Sequence, residues 1–426
     1  MNANSIKIIS HYDSDGITAA AILAKVLQKL DKKFSIKIVK QIEEKVFSEL
    51  KKDGSKFDAI FFLDLGSNNI PEINALDKNV FILDHHEIIN PAEPSEKVTF
   101  INRHLYGEEE ISAAGIVYLF SEAMGEADSY LAKLALVGMI GDMADRTMSR
   151  VNNKILKDSQ CIVKKGLLLF SSTRPIHKAL EFSSGIYIPG VTGNAPGVMS
   201  ILREAGIKIH DEKNYRTLQD LTNEEMVRLV TSIALIADND RLIGNVYLLK
   251  LFNQLEDARE LSTLINACGR LDEAHIALAF CLGFSKAKAS AESVYCKYKH
   301  FLIEALNWAN LNKIDKGDYI LINAKSSIKD SMIGTIASIL SSSFIYPEGK
   351  IIVGSAMRDD GRIKVSMRVC GNSEIDLSKK VENACRIVGG EFGGHKRAAG
   401  ALIEQDKEAE FMRLIEKEIE SPKIKV

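Results

Sequence analysis

Three short apolar segments near the N-terminus each stop at an aspartate, and this pattern constrains the fold more than any other feature of the chain. The segments read SIKIISHYDSDG from Ser5, FDAIFFLDLGS from Phe57 and NVFILDHHE from Asn79. Apolar runs that alternate with helix-period segments predict a parallel sheet covered on both faces. Because ligands of open α/β sheets bind beyond the carboxyl ends of the strands, we expect acidic residues from three strands to meet at one place.

The length and composition are those of an ordinary globular protein with more than one domain. The chain has 426 residues, of which 46% are apolar and 26% are charged. No apolar run is long enough for a membrane span, and the N-terminus lacks the pattern of a secretion signal. Six scattered cysteines without a CxxC pair argue against a zinc knuckle or a disulfide framework. We therefore expect a cytoplasmic protein.

The net charge limits how the chain could bind a polyanion. Its formal value is −2 at pH 7, whereas nucleic-acid-binding proteins usually carry a strong positive footprint. A site for a polyanion must therefore be local, or be made positive by bound metal ions.

The segment pattern predicts an α/β protein with two domains. Residues 1–285 are predicted to form a doubly wound domain with a mostly parallel sheet. At about 150–255 this domain is predicted to contain a helical insertion whose individual elements the sequence pattern does not define. Residues 286–313 read as a long connector helix. Residues 314–426 restart with the strand-like segments DYILINAK, KIIVGSAMR and RIKVSMRV and are predicted to form a smaller α/β domain.

The HYDSD segment places His11, Asp13 and Asp15 where the first strand ends. Residues two apart on a strand point to the same side, so these three side chains are predicted to face together. Imidazole combined with carboxylates suits Mn, Fe, Zn or Mg. The alternative is a solvated acidic turn in which an aspartate caps the following helix.

The next two strand ends carry Asp64 and the LDHHE segment, which contains Asp84, His85 and His86. A lone aspartate such as Asp64 is often a turn former or helix cap. It becomes a candidate metal ligand only because another acidic residue is predicted at the end of the neighbouring strand. In the histidine pair, one imidazole can bind a metal while the other contacts a phosphate. The alternative is a surface pair of histidines in a loop.

Asp142 lies in the apolar segment 129–145, which is predicted to be helical. An aspartate there is costly without a partner, so it is a candidate ligand. The neighbouring Gly141 would let another backbone approach, whereas Asp145 could equally cap a helix or face solvent. With the strand-end residues, Asp142 completes a set large enough for a two-metal site, which clamps a phosphoryl group and activates a water.

Four of these segments together resemble the motifs of the DHH phosphoesterase family. They are HYDSDG, LDLGS, LDHHE and GMIGDMAD, and the triplet that gives the family its name would be Asp84, His85 and His86. The resemblance implies hydrolysis of phosphodiester or phosphoanhydride bonds with two Mn²⁺ or Mg²⁺ ions. One ion would be held by His11, Asp13 and Asp64. The other would be held by Asp15, Asp64, His85 and Asp142, with Asp64 bridging. His86 would contact or protonate the substrate phosphate.

Two later segments resemble parts of RecJ-type nucleases in the same family. INACGRL resembles an Asn-x-x-Gly-Arg motif, which implies that Asn266 and Arg270 face the substrate; the alternative is a helix C-terminus at Gly269. GGEFGGHKRAAGA resembles the glycine-rich signature of the DHHA1 domain. The resemblance implies that four residues of this domain contact substrate: Arg368, Gly393, Gly394 and His395. For Arg368 the alternative is an exposed arginine on a strand.

The resemblance favours an archaeal RecJ-like exonuclease that acts on single-stranded DNA or RNA in replication or repair. One alternative is a hydrolase of short substrates, such as oligoribonucleotides or cyclic dinucleotides. Another is a replication scaffold, although every metal-ligand position is filled. Association with a GINS-type replication complex is a family expectation, and no further OB-type domain is expected after the DHHA1-like tail. Polarity, preference for DNA or RNA and oligomeric state stay open.

Overall fold

The strands predicted from the apolar runs form one parallel sheet. In the computed structural model its five strands lie in the order β2-β1-β3-β4-β5, and all neighbours are parallel. The strands are β1 (Ser5–His11), β2 (Lys33–Val39), β3 (Ala59–Leu63), β4 (Asn79–Leu83) and β5 (Val98–Ile101). The predicted fold class is confirmed for this part of the chain.

The structure describes residues 3–53, 56–89, 91–107, 109–169, 172–183, 187–212, 214–236, 242–251, 254–343, 345–371 and 373–420. The chain divides into two compact units. Unit 1 comprises residues 1–164 and 245–298, and unit 2 comprises residues 165–244 and 299–426.

Helices cover both faces of the sheet of unit 1. They include α1 (Ser14–Lys29), α2 (Glu44–Lys52), α3 (Ile70–Asn74) and α4 (Ala113–Ala123), whereas α5 (Ser129–Gly141) packs on α1 and α4, and α6 (Arg150–Asp158) packs on α5. On one face α2 and α3 pack in a buried cluster with Ile9 and Phe62. On the other, Phe61 stacks on Phe81 with ring centroids 4.6 Å apart, and Phe120 of α4 meets both edge-on. Burial on both faces explains why the strands are nearly all apolar.

The insertion predicted at about 150–255 contains short helices and strands. They are β6 (Ile162–Leu167), α7 (Ile176–Glu181), α8 (Ala195–Glu204), β7 (His210–Asp211), β8 (Asn214–Tyr215), α9 (Asn223–Ala234) and β9 (Ile243–Leu251). Between β6 and β9, helices α7, α8 and α9 share one hydrophobic core within unit 2. The chain then returns to unit 1 with β10 (Gln254–Asp257), α10 (Ala258–Arg270) and α11 (Ala274–Cys281).

The long helix α12 (Ser285–Asn312) runs through the segment predicted to be a connector, and the division between the units falls inside it. The elements that follow are β11 (Ile314–Asp315), β12 (Tyr319–Asn323), α13 (Asp330–Ser342), β13 (Ile351–Met357), β14 (Ile363–Val369), α14 (Leu377–Val388), β15 (Glu391–His395), β16 (Ala398–Ile403) and α15 (Glu408–Glu420).

The strands after α12 form a second sheet with the order β11-β12-β13-β14-β16-β15. Only β12 and β13 pair in parallel, and α14 and α15 bury Leu377, Val381 and Phe411 against it. This separate sheet is the smaller α/β domain that the sequence predicts. Within the described part of the chain, no helix combines the length and apolar character that crossing a membrane requires.

Candidate metal centre

The carboxyl ends of β1, β3 and β4 bring polar side chains to one edge of the parallel sheet. His11 is the last residue of β1, Asp64 directly follows β3, and Asp84 directly follows β4. Because parallel strands end at the same edge, residues far apart in sequence meet there. His11 Nδ1 lies 3.3 Å from Asp64 Oδ2, which shows how close this approach is.

Asp13 and Asp15 do not lie on a strand, so the predicted strand geometry of the HYDSD segment is wrong. β1 ends at His11, and Asp13 is the N-cap of α1, where its Oδ1 accepts a hydrogen bond from the Gly16 N–H at 3.0 Å. Its other oxygen, Oδ2, lies 2.9 Å from His11 Nδ1. The helix-capping alternative and the ligand cluster therefore coexist, because one carboxylate has two oxygens.

Asp15 reaches the cluster from the first turn of α1. It is fully buried, and its carboxylate accepts the backbone N–H groups of Ala113 at 2.6 Å and Ala114 at 3.0 Å. These donors are the first residues of α4, where the helix dipole favours negative charge. A Cβ on Gly138 would lie 2.6 Å from Asp15 Oδ1, so glycine is needed where α5 passes this carboxylate.

Asp64 occupies the centre of the cluster. Its Oδ2 faces His11 Nδ1, while its Oδ1 lies 3.2 Å from His85 Nε2. The residue is 1% exposed and has a backbone φ of +59°, a left-handed conformation that is uncommon for residues other than glycine. One carboxylate thus presents its two oxygens to two different histidines, which is the arrangement expected of a bridging ligand.

The second group of side chains gathers around His85. Its Nε2 lies 2.9 Å from Asp142 Oδ2 and 3.8 Å from Asp15 Oδ2, in addition to Asp64. The predicted helix over 129–145 is too long, because α5 ends at Gly141 and Asp142 is its C-cap. A Cβ on Gly141 would lie 2.9 Å from Ser14 Cβ, so the glycine lets α1 approach closely, as the sequence suggested.

His86 is held by Asp84 and points a different way from His85. Asp84 Oδ1 accepts the backbone N–H groups of both histidines and lies 2.8 Å from His86 Nδ1, while its Oδ2 accepts the N–H of Ser67. These bonds occupy the Asp84 carboxylate and fix His86 with Nδ1 as the donor, which leaves Nε2 for another partner. The His86 side chain is 46% exposed, so it can meet a substrate.

The buried atoms of the cluster fit divalent metal ions. Four of them have no hydrogen-bond partner of acceptable geometry: His11 Nδ1, Asp64 Oδ1, Asp64 Oδ2 and His85 Nε2. Unpaired buried polar atoms are costly unless something satisfies them. Three groups have donor atoms within 4.8 Å of one another, namely His11, Asp13 and Asp64; Asp15, Asp64, His85 and Asp142; and Asp64, Asp84, His85 and His86. In the third group the Asp84 carboxylate is already occupied by hydrogen bonds, so we assign the ligands to the first two. Imidazole with several carboxylates is the donor set of Mn²⁺ or Mg²⁺ more than of a thiolate-loving metal.

The electrostatics of the cluster favour the binding of positive charge. Burial, followed by the charge of Asp13, raises the pKa of Asp64 to about 6. Burial and the charges of Asp142 and Asp64 raise the pKa of Asp15 well above its usual value. Burial alone would lower the pKa of His11, but Asp13 and Asp64 outweigh it and raise that pKa to about 11. Without metal, the cluster therefore attracts protons, and bound cations would displace them.

Helix α10 packs against the start of α1 and so supports the loop that carries part of the cluster. Asn266 Oδ1 accepts the backbone N–H of Ser14 at 2.7 Å, so this side chain satisfies the first turn of α1. A Cβ on Gly269 would lie 1.9 Å from the backbone oxygen of Tyr12. The Asn-x-x-Gly-Arg segment therefore positions the loop between His11 and Asp13, and its Arg270 is the half-buried last residue of α10.

Replacement of Gly269 by alanine is expected to destabilise the protein by about 1–3 kcal/mol and to weaken Mn²⁺ binding, because the new methyl group forces α10 away from the Tyr12 backbone. The measurements are chemical unfolding and Mn²⁺ titration. Gly334→Ala in α13 is the control, since its Cβ would come no closer than 3.3 Å to the Ser366 side chain. The closest atom there is the Ser366 hydroxyl oxygen, which can shift by a few tenths of an ångström, so this substitution should change the free energy of unfolding by less than about 1 kcal/mol. Equal effects of the two substitutions would contradict the packing argument.

The remaining predicted site residues belong to the sheet of unit 2. Arg368 lies on β14, where its Nε donates to Ser338 Oγ at 2.9 Å. Gly393, Gly394 and His395 lie on the edge strand β15, all five residues of which are exposed. Gly394 has a φ of +131°, and a Cβ there would lie 2.3 Å from the backbone oxygen of residue 398, so only glycine fits.

Asn102 is a residue of the site that sequence reasoning missed. It is fully buried directly after β5, and its Nδ2 donates to Ser67 Oγ at 2.8 Å and to the backbone oxygen of His86 at 2.9 Å. Its Oδ1 accepts the N–H of His104. The available signal was positional, because Asn102 follows an apolar strand as Asp64 and Asp84 do, but β5 is only four residues long.

Family comparisons divide the chain into three parts. The DHH family N-terminal domain matches residues 5–140, the DHH-CID domain matches residues 169–238, and the DHHA1 domain matches residues 317–421. The first contains most of the cluster described above. The second lies in the stretch that sequence patterns could not interpret, and the third covers the second sheet.

Two curated relatives resemble the chain in sequence. An uncharacterized protein of Methanocaldococcus jannaschii is 29% identical over 424 residues, which covers 96% of this chain and 92% of that one. The single-stranded-DNA-specific exonuclease RecJ of Bacillus subtilis is 27% identical over 158 residues, which covers 32% of this chain and 19% of that protein.

Two solved structures share the fold. RecJ of Thermus thermophilus in complex with Mn²⁺ is 18% identical with a TM-score of 0.62, covering 97% of this chain and 52% of that one. CDC45 of Entamoeba histolytica is 11% identical with a TM-score of 0.63, covering 98% of this chain and 96% of that one. At these identities the likeness concerns the fold alone. The chain spans about half the length of the Thermus RecJ chain.

Proposed function

We propose that the chain is a metal-dependent phosphodiesterase that acts as an exonuclease on single-stranded nucleic acid. The chain belongs to the DHH family and carries DHH, DHH-CID and DHHA1 domains. One observation carries the proposal. The buried carboxylate of Asp64 presents one oxygen to His11 and the other to His85, at 3.3 and 3.2 Å. This geometry suits two metal ions that share a ligand.

The proposed division of ligands follows the two sides of Asp64. His11 and Asp13 would complete one ion's set, and Asp15, His85 and Asp142 would complete the other's. When bound, two Mn²⁺ or Mg²⁺ ions supply an activated water and a clamp on the phosphoryl oxygens. The backbone donors on Asp15 and the cap at Asp13 hold these carboxylates in place before any ion arrives, so little reorganisation is needed.

His86 would act on the substrate and not on a metal. Asp84 holds its Nδ1 at 2.8 Å, and the same bond raises the pKa of His86, which favours the protonated ring. A positioned imidazolium can donate a hydrogen bond to a phosphate oxygen or a proton to the leaving oxygen. Asn102 fixes the backbone of His86 from the other side.

The choice of a nucleic-acid substrate rests on the relatives and on candidate anion contacts. RecJ of Bacillus subtilis is named as a single-stranded-DNA-specific exonuclease. In this chain Arg270 on α10 and Arg368 on β14 are the proposed phosphate contacts, and the exposed glycine strand β15 with His395 would receive the nucleic-acid backbone. Asn266 is proposed as a positioning residue, because its Oδ1 is bonded to α1.

The scaffold hypothesis predicts a different centre. The fold is also that of CDC45, and a scaffold does not need an intact set of metal ligands. In this chain the orphaned donor atoms of His11, Asp64 and His85 remain buried and convergent, which supports hydrolysis. A replication-complex partner of the GINS type stays a proposal from the family resemblance.

The test is hydrolysis of end-labelled single-stranded DNA and RNA of two lengths with Mn²⁺. We expect the labelled long strands to be shortened progressively by wild type and to persist with the Asp64→Ala and His86→Ala variants. A label at either end shows the polarity. Cleavage restricted to substrates of about two to five nucleotides would identify the chain as a small-substrate hydrolase and not as an exonuclease on long strands. Absence of hydrolysis with any divalent metal would favour the scaffold.

A further inference from the structure

Unit 1 contains a cavity whose wall includes none of the proposed metal ligands. Its volume is about 480 Å³, and it lies between the end of β5, the outer side of α4 and the start of α6. Its walls are mainly aliphatic and aromatic, formed by residues such as Ile111, Leu119, Phe120 and Val151. Ligand sites of proteins typically have volumes of about 300–1,000 Å³, apolar walls and a few placed polar groups.

Arg103 provides the placed polar group. It lines the cavity, and its Nε is buried without a hydrogen-bond partner. Among the residues that the structure describes, no carboxylate forms an ion pair with its guanidinium. The nearby Glu109 also lines the cavity, but its carboxylate accepts the backbone N–H of Arg150. A buried donor without a partner is costly, so a ligand group that accepts from Arg103 would gain from entering the cavity.

We propose that this cavity binds a small apolar molecule carrying one carboxylate, with the carboxylate paired to Arg103 and the apolar body against α4. A planar carboxylate matches the guanidinium fork. A single charge also costs less to bury than a doubly charged phosphate. Tyr106, which is 64% exposed at the cavity, leaves the site open to solvent and so to a ligand.

The position of the cavity connects it to the DHH triplet. Asn102 forms part of its wall and also holds the backbone oxygen of His86. A bound molecule would therefore touch the same asparagine that positions the proposed proton donor. The binding proposal itself does not depend on hydrolysis, so it can hold or fail separately from the proposed function.

Calorimetric titration of the full chain with phenylbutyrate, and with its uncharged amide, tests the proposal. We expect saturable binding of the acid and at least about tenfold weaker binding of the amide, because the amide lacks the negative charge that pairs with the Arg103 guanidinium. Arg103→Met should remove the preference for the acid. Val151→Phe, which enlarges a half-buried side chain of the cavity wall, should weaken both ligands.

Two matched variants serve as controls. Arg386→Met replaces an exposed arginine of α14, and Ala289→Phe adds a ring on an exposed position of α12. Both should bind phenylbutyrate as wild type does. Equal affinity of wild type for acid and amide would overturn the proposal, as would unchanged binding by Val151→Phe or no binding at millimolar concentrations. If Arg103→Met does not fold, the wild-type ratio and Val151→Phe still decide.

Discussion

Replacement of Asp64 by asparagine is expected to lower the rate of Mn²⁺-dependent phosphodiester hydrolysis by at least about a thousandfold, because metal ions contribute several kcal/mol to such reactions and each 1.4 kcal/mol is tenfold. Asparagine keeps the size of the side chain but replaces the carboxylate by an amide. One of its two ends is then a weaker acceptor, and the other is an N–H donor that cannot bind a metal ion. Since Asp64 lies 3.3 Å from His11 and 3.2 Å from His85, both sets lose a ligand at once. The measurement is the steady-state rate on end-labelled single-stranded DNA.

Asp77 offers a matched control for this substitution. It is also an aspartate with positive φ, at +50°, but it precedes β4, so it belongs to the opposite edge of the sheet. Its side chain is 85% exposed and pairs with Lys97. Asp77→Asn should leave the rate unchanged within about twofold, since an exposed ion pair contributes less than about 1 kcal/mol. Full activity of Asp64→Asn would contradict the shared-ligand assignment.

Replacement of each histidine of the triplet by glutamine is expected to impair a different property, the rate of hydrolysis for His86 and metal binding for His85. His86→Gln should lower the rate by about 10²–10⁴-fold, the usual contribution of a general acid, while both metal ions still bind. His85→Gln should weaken the ion held with Asp15 and Asp142, because His85 Nε2 lies at the centre of that set. The measurements are rates at saturating Mn²⁺ and Mn²⁺ binding isotherms for each variant.

The contrast between the two variants decides the role of His86. If His86→Gln lost metal and His85→Gln kept it, the assignment of the pair would be reversed. Restoration of His86→Gln to the wild-type rate by added Mn²⁺ would likewise identify His86 as a ligand. The half-exposed ring of His86 and its bond to Asp84 argue for the role we propose.

The sequence predicted the sheet and its polar edge because both follow from local patterns. Strands buried on both faces must be nearly all apolar, and parallel strands must end together. The positions of Asp64 and Asp84 after β3 and β4 therefore follow from the apolar runs alone. The smaller second sheet was readable for the same reason, since its strands β12, β13 and β14 are also apolar runs.

The local path of the HYDSD segment could not be predicted from alternation. Whether the strand continues past His11 depends on the helix that follows, and Asp13 caps that helix at once. The carboxylate of Asp15 then meets the N-terminus of α4, 98 residues away in sequence. The contact of Asn266 with Ser14 spans 252 residues and leaves no periodic signal. Contacts of this kind become visible only when the chain is folded.

The most direct test of the two-metal centre is the number of Mn²⁺ ions bound per chain, measured by equilibrium dialysis with elemental analysis. We expect two ions for wild type and for Asp77→Asn, and loss of tight binding at both positions for Asp64→Asn, since Asp64 belongs to both ligand sets. A wild-type chain that binds a single ion or none, or an Asp64→Asn variant that still binds two, would contradict the two-metal centre.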